Sequence, residues 1–189
     1  MEKKSDYTGQ LKRNIALIGM PGTFKSTMGK IIAKKIGYSF YDTDSMVEKK
    51  HKKTINEIFA DEGEAVFRQY ESDAVKEAAS VKGSVIATGG GAVLNNNNIV
   101  ELKKSCTVVH LSADVETIYT RLINAKNRPL LKDITIEKVM DLHMKRKDLY
   151  HNAMDIRVYT NRKCQKRLSE VTIQKCIAYE QERDFSNQD

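Results

Sequence analysis

With 189 residues, 40% of them hydrophobic and 30% charged, the chain has the size and balance of one globular domain with a substantial core. Its net charge of +7 comes from 32 basic residues scattered among 25 acidic ones, with no aromatic interleaving and no zinc-finger spacing. That argues against a nucleic-acid partner and leaves a positive field suited to small anionic substrates. No apolar run approaches the ~18 residues of a membrane span, the start is too polar for a signal peptide, and Cys106, Cys164 and Cys176 make neither a disulfide framework nor a zinc set. The expectation is a cytoplasmic monomer with no membrane partner.

The first strand is NIALI at 14–18, continuously apolar as a strand buried on both faces requires. It runs straight into GMPGTFKST at 19–27. Residues 26–36 then read as a helix, with Met28, Ile31, Ile32 and Ile36 near i, i+3, i+4 spacing and Gly37 as its stop. A second strand over 38–41 ends at Asp42-Thr43-Asp44. KKHKK at 49–53, beside Glu48 and Glu57, reads as solvated surface.

Thr54-Ile55-Asn56-Glu57 has the form of a capping box that opens a helix, and a longer helical stretch covers 64–79. A third strand over 85–88 ends at Gly89-Gly90-Gly91, and the four asparagines at 95–98 read as a polar loop. A fourth strand at 107–111 and a helix over 114–123 follow. Residues 124–134 read as an exposed flap, before a helix over 135–150, a last strand at 155–159 and a C-terminal helix. Strands alternating with helices predict an α/β fold: three α/β/α layers around a five-stranded parallel sheet, with the flap as a lid. The whole of 1–189 reads as one domain, with 1–13 and 180–189 expected to be flexible.

Three polar motifs follow the carboxyl ends of predicted strands, the edge at which open α/β sheets bind ligands. The first has the P-loop form G-x-x-x-x-G-K-[ST], with Gly19, Lys25 and Ser26 in three of its four fixed places. Backbone N–H groups over Gly22, Thr23 and Phe24, with the helix N-terminus behind them, would cradle phosphate oxygens. Lys25 would neutralise the β- and γ-phosphates, Ser26 would ligate Mg²⁺, and Thr27 would assist near the α-phosphate. The fourth place, glycine in the pattern, is Phe24. Its N–H survives, but a positive φ there would store strain of about 1–3 kcal/mol, and the ring must point away from the phosphates.

Asp42 and Asp44, two apart at a strand end, can face one side of an extended chain, one serving a metal and the other an attacking hydroxyl; a turn or helix cap is the alternative. Gly89-Gly90-Gly91 suits close approach of backbone to a ligand with its N–H groups exposed. Arg68 has Glu71 at i+3 to orient its guanidinium, while Arg128 and Arg146 taken singly are indistinguishable from surface arginines.

In order, GMPGTFKST, DTD, GEAVFRQYE (63–71), ATGGGAV (87–93), RPLL (128–131) and R-x-x-x-Y at Arg146 to Tyr150 resemble the shikimate kinases, P-loop enzymes of the nucleoside-monophosphate-kinase type. The resemblance covers about 14–162. It implies ATP-dependent phosphorylation of the 3-hydroxyl of shikimate, in the pathway to chorismate and the aromatic amino acids, with ATP and Mg²⁺. It implies nucleotide and magnesium contacts for Lys25 and Ser26, a carboxylate near Mg²⁺ for Asp42, and a base that also contacts substrate hydroxyls for Asp44. Arg68 and Arg146 match the pair that grips the shikimate carboxylate, with Gly89, Gly90 and Gly91 lining that pocket. Arg128 matches the lid arginine and Arg121 an arginine lying against adenine. Two other readings stand beside it: a non-catalytic shikimate-binding protein whose loop Phe24 impairs, and a gluconate-type kinase.

Overall fold

The computed structural model describes residue 7 and residues 9–124, 134–161 and 164–186. Five strands, β1 (Asn14–Ile18), β2 (Ser39–Asp42), β3 (Ser84–Ala87), β4 (Cys106–Ser112) and β5 (Ile156–Tyr159), form one sheet in the order β2-β3-β1-β4-β5. Every neighbouring pair is parallel, as predicted. β1 is central and buried along its whole length, which is why its sequence is apolar without alternation.

Side chains alternate between two cores. Ile15, Leu17, Val85, Val109 and Leu111 face a cluster with Met28 and Ile32 of α1 (Lys25–Ile36) and Leu168 and Ile173 of α8 (Gln165–Ser186). Ala16, Ile18, Ile86 and Val108 face the other layer. That layer comprises α4 (Gly63–Ser80), α5 (Asn96–Ser105), α6 (Val115–Ile123) and α7 (Ile136–Ala153). The three layers follow from this period of two.

Helix ends sit where local chemistry demands. Gly37 closes α1 in the left-handed conformation (φ 76), its N–H bonded to Ala33 O. Thr54 and Glu57 form the expected capping box of α3 (Ile55–Asp61). Thr135 caps α7 by accepting from Lys138 N.

Two expectations are revised. Of the two readings of Asp42-Thr43-Asp44, the helix cap holds: Asp42, the extended last residue of β2, caps α2 (Thr43–His51) by accepting from Ser45 N, and Asp44 lies in that helix's first turn. The asparagine run is a helix start, with Asn95 accepting from Asn97 N and buried Asn98 donating to Ala92 O at 3.0 Å. α8 continues to Ser186. Buried Glu180 accepts the Lys12 amide at 2.7 Å, and Tyr38 Oη donates to Leu11 O at 2.8 Å. Lys12 is thereby bonded to α8, and Leu11 to Tyr38.

Glu180→Ala leaves the part-buried Lys12 N–H without its acceptor and is expected to lower stability by about 1–3 kcal/mol in urea unfolding. A change below about 0.5 kcal/mol, the range of ordinary surface substitutions, would show that the tail contributes nothing.

Candidate active site

The loop from Gly19 to Phe24 joins β1 to α1 at the carboxyl edge of the sheet. Gly19 (φ 144) and Gly22 (φ 83) take backbone conformations that side chains disfavour, and a β-carbon on Gly19 would strike Leu111 O of β4. Thr23 is fully buried, and both its amide and its hydroxyl donate to Met20 O, at 3.3 and 2.8 Å. Its part is to hold the turn. Lys25 is folded across the loop, with Nζ donating to Gly19 O at 2.8 Å and Met20 O at 3.0 Å. Phe24, at the N-cap of α1, makes no side-chain cap bond, so the partial positive end of the helix backs the loop without a protein oxygen from that residue.

Phe24 is left-handed, at φ 67 and ψ 24. Its ring turns to Arg121, whose guanidinium carbon lies 4.0 Å from the ring centroid.

Ser26 Oγ donates to Asp42 Oδ2 at 2.6 Å, which brings the proposed metal pair together from two elements. Ser26 and Thr27 are exposed.

The three consecutive glycines are each crowded by a different neighbour. A β-carbon on Gly89 would lie 2.5 Å from both Asp44 Oδ1 and Glu71 Oε1, and one on Gly90 2.9 Å from Pro21 Cδ of the P-loop; one on Gly91 would overlap the Arg68 guanidinium. The N–H of Gly89 is not exposed, contrary to expectation: it donates to Thr43 Oγ1 at 3.0 Å. Gly90 O accepts from Tyr150 Oη at 2.6 Å and Arg146 Nη1 at 2.9 Å.

Arg68 is held on its own helix, Nη1 donating to Glu71 Oε2 and Nη2 to Glu64 Oε1, both at 2.9 Å. Glu71 is 1% exposed, and its Oε1 has no hydrogen-bond partner. Burial pushes its carboxyl above the usual pKa range, against the opposing pull of Arg68 and Arg146. Tyr150 is buried too, its phenol pushed up to about 12 by desolvation, and its ring stacks on His110 at 4.8 Å. Burial lowers His110 to about 4, so that imidazole is neutral at physiological pH.

Asp44, Arg68, Arg146 and Gly89 to Gly91 therefore meet in one place beside the P-loop. Arg128 and most of the predicted lid, 125–133, lie outside the described residues. Sequence reasoning overlooked Thr43 as a glycine-loop acceptor and Thr160 and Asn161 as partners of Arg121. Only the position of Thr43 between two aspartates offered a signal.

Known proteins fit this geometry. The shikimate kinase family profile matches residues 21–177. Shikimate kinase of Rippkaea orientalis is 43% identical over 161 residues, 84% of this chain and 85% of the relative. The one from Geobacter sulfurreducens is 42% identical over 149 residues, 78% of this chain and 82% of the relative. Among solved structures, shikimate kinase from Acinetobacter baumannii in complex with shikimate superposes with a TM-score of 0.83 at 36% identity, covering 88% of this chain and 94% of that one. Deoxyadenosine kinase from M. mycoides, 17% identical with a TM-score of 0.59, shares the fold. The chain belongs to the shikimate kinase family.

Proposed function

We propose that this enzyme transfers the γ-phosphoryl group of ATP to the 3-hydroxyl of shikimate. The observation that carries this reading is the close approach of Gly90 to Pro21, with no room for a β-carbon between them, which supports an arginine and carboxylate pocket set against a phosphate-binding loop. Shikimate presents one carboxylate and three hydroxyls, a match for guanidinium forks and an aspartate. Arg68 and Arg146 hold the carboxylate, Gly89 to Gly91 allow the ring to approach the backbone, and Asp44 orients the attacking hydroxyl and takes its proton.

The loop amides and the N-terminus of α1 receive the phosphates, and Lys25 neutralises their charge. Ser26 and Asp42 are hard oxygen donors already side by side, so the residues present fit Mg²⁺. When bound, that ion supplies charge neutralisation at the phosphate oxygens. Arg121 is assigned to the base end of the nucleotide, and Arg128 to neutralising charge on the phosphates. Catalysis in this arrangement is positioning and electrostatics.

The ring of Phe24 lies against Arg121, so no observation favours a loop closed to phosphate, and none favours a gluconate-type substrate. Among the described residues no helix is long and apolar enough to cross a membrane. We place the enzyme in the cytoplasm as a monomer.

Purified protein with Mg-ATP is expected to release ADP only when shikimate is added; release independent of shikimate, or none from folded protein, would overturn the reading. Asp44→Asn should keep the melting temperature within a few degrees and lower kcat by about 10²–10⁴. Full activity in that variant would remove Asp44 from the chemistry.

Arg68→Ala should raise KM for shikimate and also destabilise the fold, because it strips the counter-charge from buried Glu71. A carboxyl whose native pKa is raised favours the folded state while protonated, and that support fades as pH climbs from its unfolded value through the native one. Thermal melts should therefore show a smaller Arg68→Ala defect at about pH 5 than at about pH 8. Equal defects at both pH values would mean that Glu71 is not the cause.

A further inference from the structure

Phe24 stands where the loop pattern has glycine, and neither the phosphate cradle nor the substrate pocket explains its side chain. A β-carbon residue holds its left-handed conformation only under strain, so something must offset that strain. The ring packs on one side against the core shared by α1 and α8, and Arg121 covers it at 4.0 Å. Arg121 in turn donates to Gly22 O at 3.2 Å, Thr160 Oγ1 at 3.1 Å and Asn161 O at 3.2 Å, and also to Thr160 O. Thr160 is itself tied to the sheet, its N–H donating to Ser112 O at 2.8 Å. One guanidinium thus joins the P-loop, α6 and the segment after β5. Its Nη1 and Nη2 groups are engaged with protein oxygens in the guanidinium plane, and stacking takes place on its flat faces. Phe24 covers one of them.

We propose that Phe24 is a positioning residue for nucleotide binding: its ring backs Arg121 and fixes the guanidinium plane on which the base of a nucleoside triphosphate stacks. Arg121 reciprocally holds Phe24 in its left-handed conformation. The assignment of the base to Arg121 rests on the kinase reading above; the brace between the two side chains does not. The residue that departs from the loop pattern is then a built support, joining the phosphate end of the site to the base end before any ligand arrives.

The test is a double-mutant cycle. Phe24→Leu keeps the β-carbon, the strain and much of the apolar bulk, and removes only the aromatic face. It should raise KM for ATP about fivefold, with the loss falling on KM for ATP more than on kcat and with KM for shikimate unmoved; Phe24→Tyr should restore the wild-type value. Arg121→Ala should also raise KM for ATP, and adding Phe24→Leu to it should do no further harm. A wild-type KM for ATP in Phe24→Leu, or effects that multiply in the double variant, would overturn the proposal. Melting of the ligand-free proteins reads the brace alone. There Phe24→Leu and Arg121→Ala should each lower the melting temperature, and together by less than their sum, whereas full additivity would refute the brace. Should Phe24→Leu not fold, Phe24→Gly, which relieves the strain, replaces it: in that background Arg121→Ala should cost less melting temperature than in the wild type, and an equal cost would refute the brace. A wild-type protein without shikimate-dependent turnover would sink the kinase reading and leave the melting cycle to decide the brace.

Discussion

The active site depends on a stretch of backbone with no room for side chains. Gly89, Gly90 and Gly91 run between Asp44 and Glu71 on one side, Pro21 on another and Arg68 on a third. Because the stretch is bare, three elements close on it: the P-loop after β1, the first turn of α2 and the middle of α4. The Gly90 carbonyl then draws in the fourth, α7, through Tyr150 and Arg146. A β-carbon at any of the three would push one of these groups away, so the glycines act by sterics here more than by backbone freedom, and none of the three has a positive φ.

Charge around this stretch is arranged to keep the pocket attractive to an anion without leaving arginines loose. Arg68 is held by Glu64 and Glu71 on successive turns of the same helix, which lowers the entropy it would lose on gripping a ligand. Glu71, though buried, leaves one oxygen without a partner, and desolvation raises its pKa while two arginines oppose the rise. Arg146 is steadied instead by neutral groups, a glycine carbonyl it shares with the Tyr150 hydroxyl. One guanidinium is bonded to carboxylates directly, while the other is oriented by neutral groups and reaches Glu71 only through its field.

What the sequence made legible was whatever rests on short-range rules. The continuous apolar run of β1, the capping box at Thr54 and Glu57 and the left-handed Gly37 are each decided within a few residues, and each appears where it was expected. The errors arise where distant contacts decide. α2 carries EKKH in its last turns and little apolar periodicity, so beyond its local Asp42 cap it relies on Val47 packing with Ile58 and Phe67, which a local window does not weigh. Asn98 looks like loop material until its side chain meets the Ala92 carbonyl. The end of α8 reads as uniformly polar, yet its Glu180 is buried against the Lys12 amide. At the site the motif residues were legible by type and order, while the helical placement of Asp44 and the bonded amide of Gly89 were not, since both depend on how α2 meets β3.

Two residues other than glycine take positive φ among the described residues, Phe24 and Lys52, and the contrast between them is instructive. Lys52 follows α2 at its C-cap (φ 54) and is exposed, a surface helix end where left-handed residues are common. Phe24 sits in the loop between Gly22 (φ 83) and the start of α1, where an aromatic side chain has few places to go. Three directions are open to its ring: into the phosphate concavity, out to solvent, or back against the protein. The first would defeat the loop and the second would expose apolar area, while the third needs a flat partner at the loop's edge. Arg121 is that partner, already pinned by Gly22, Thr160 and Asn161. A P-loop pattern written as letters in a row cannot contain this compensation, because the residue that makes Phe24 tolerable lies almost a hundred positions away on another helix.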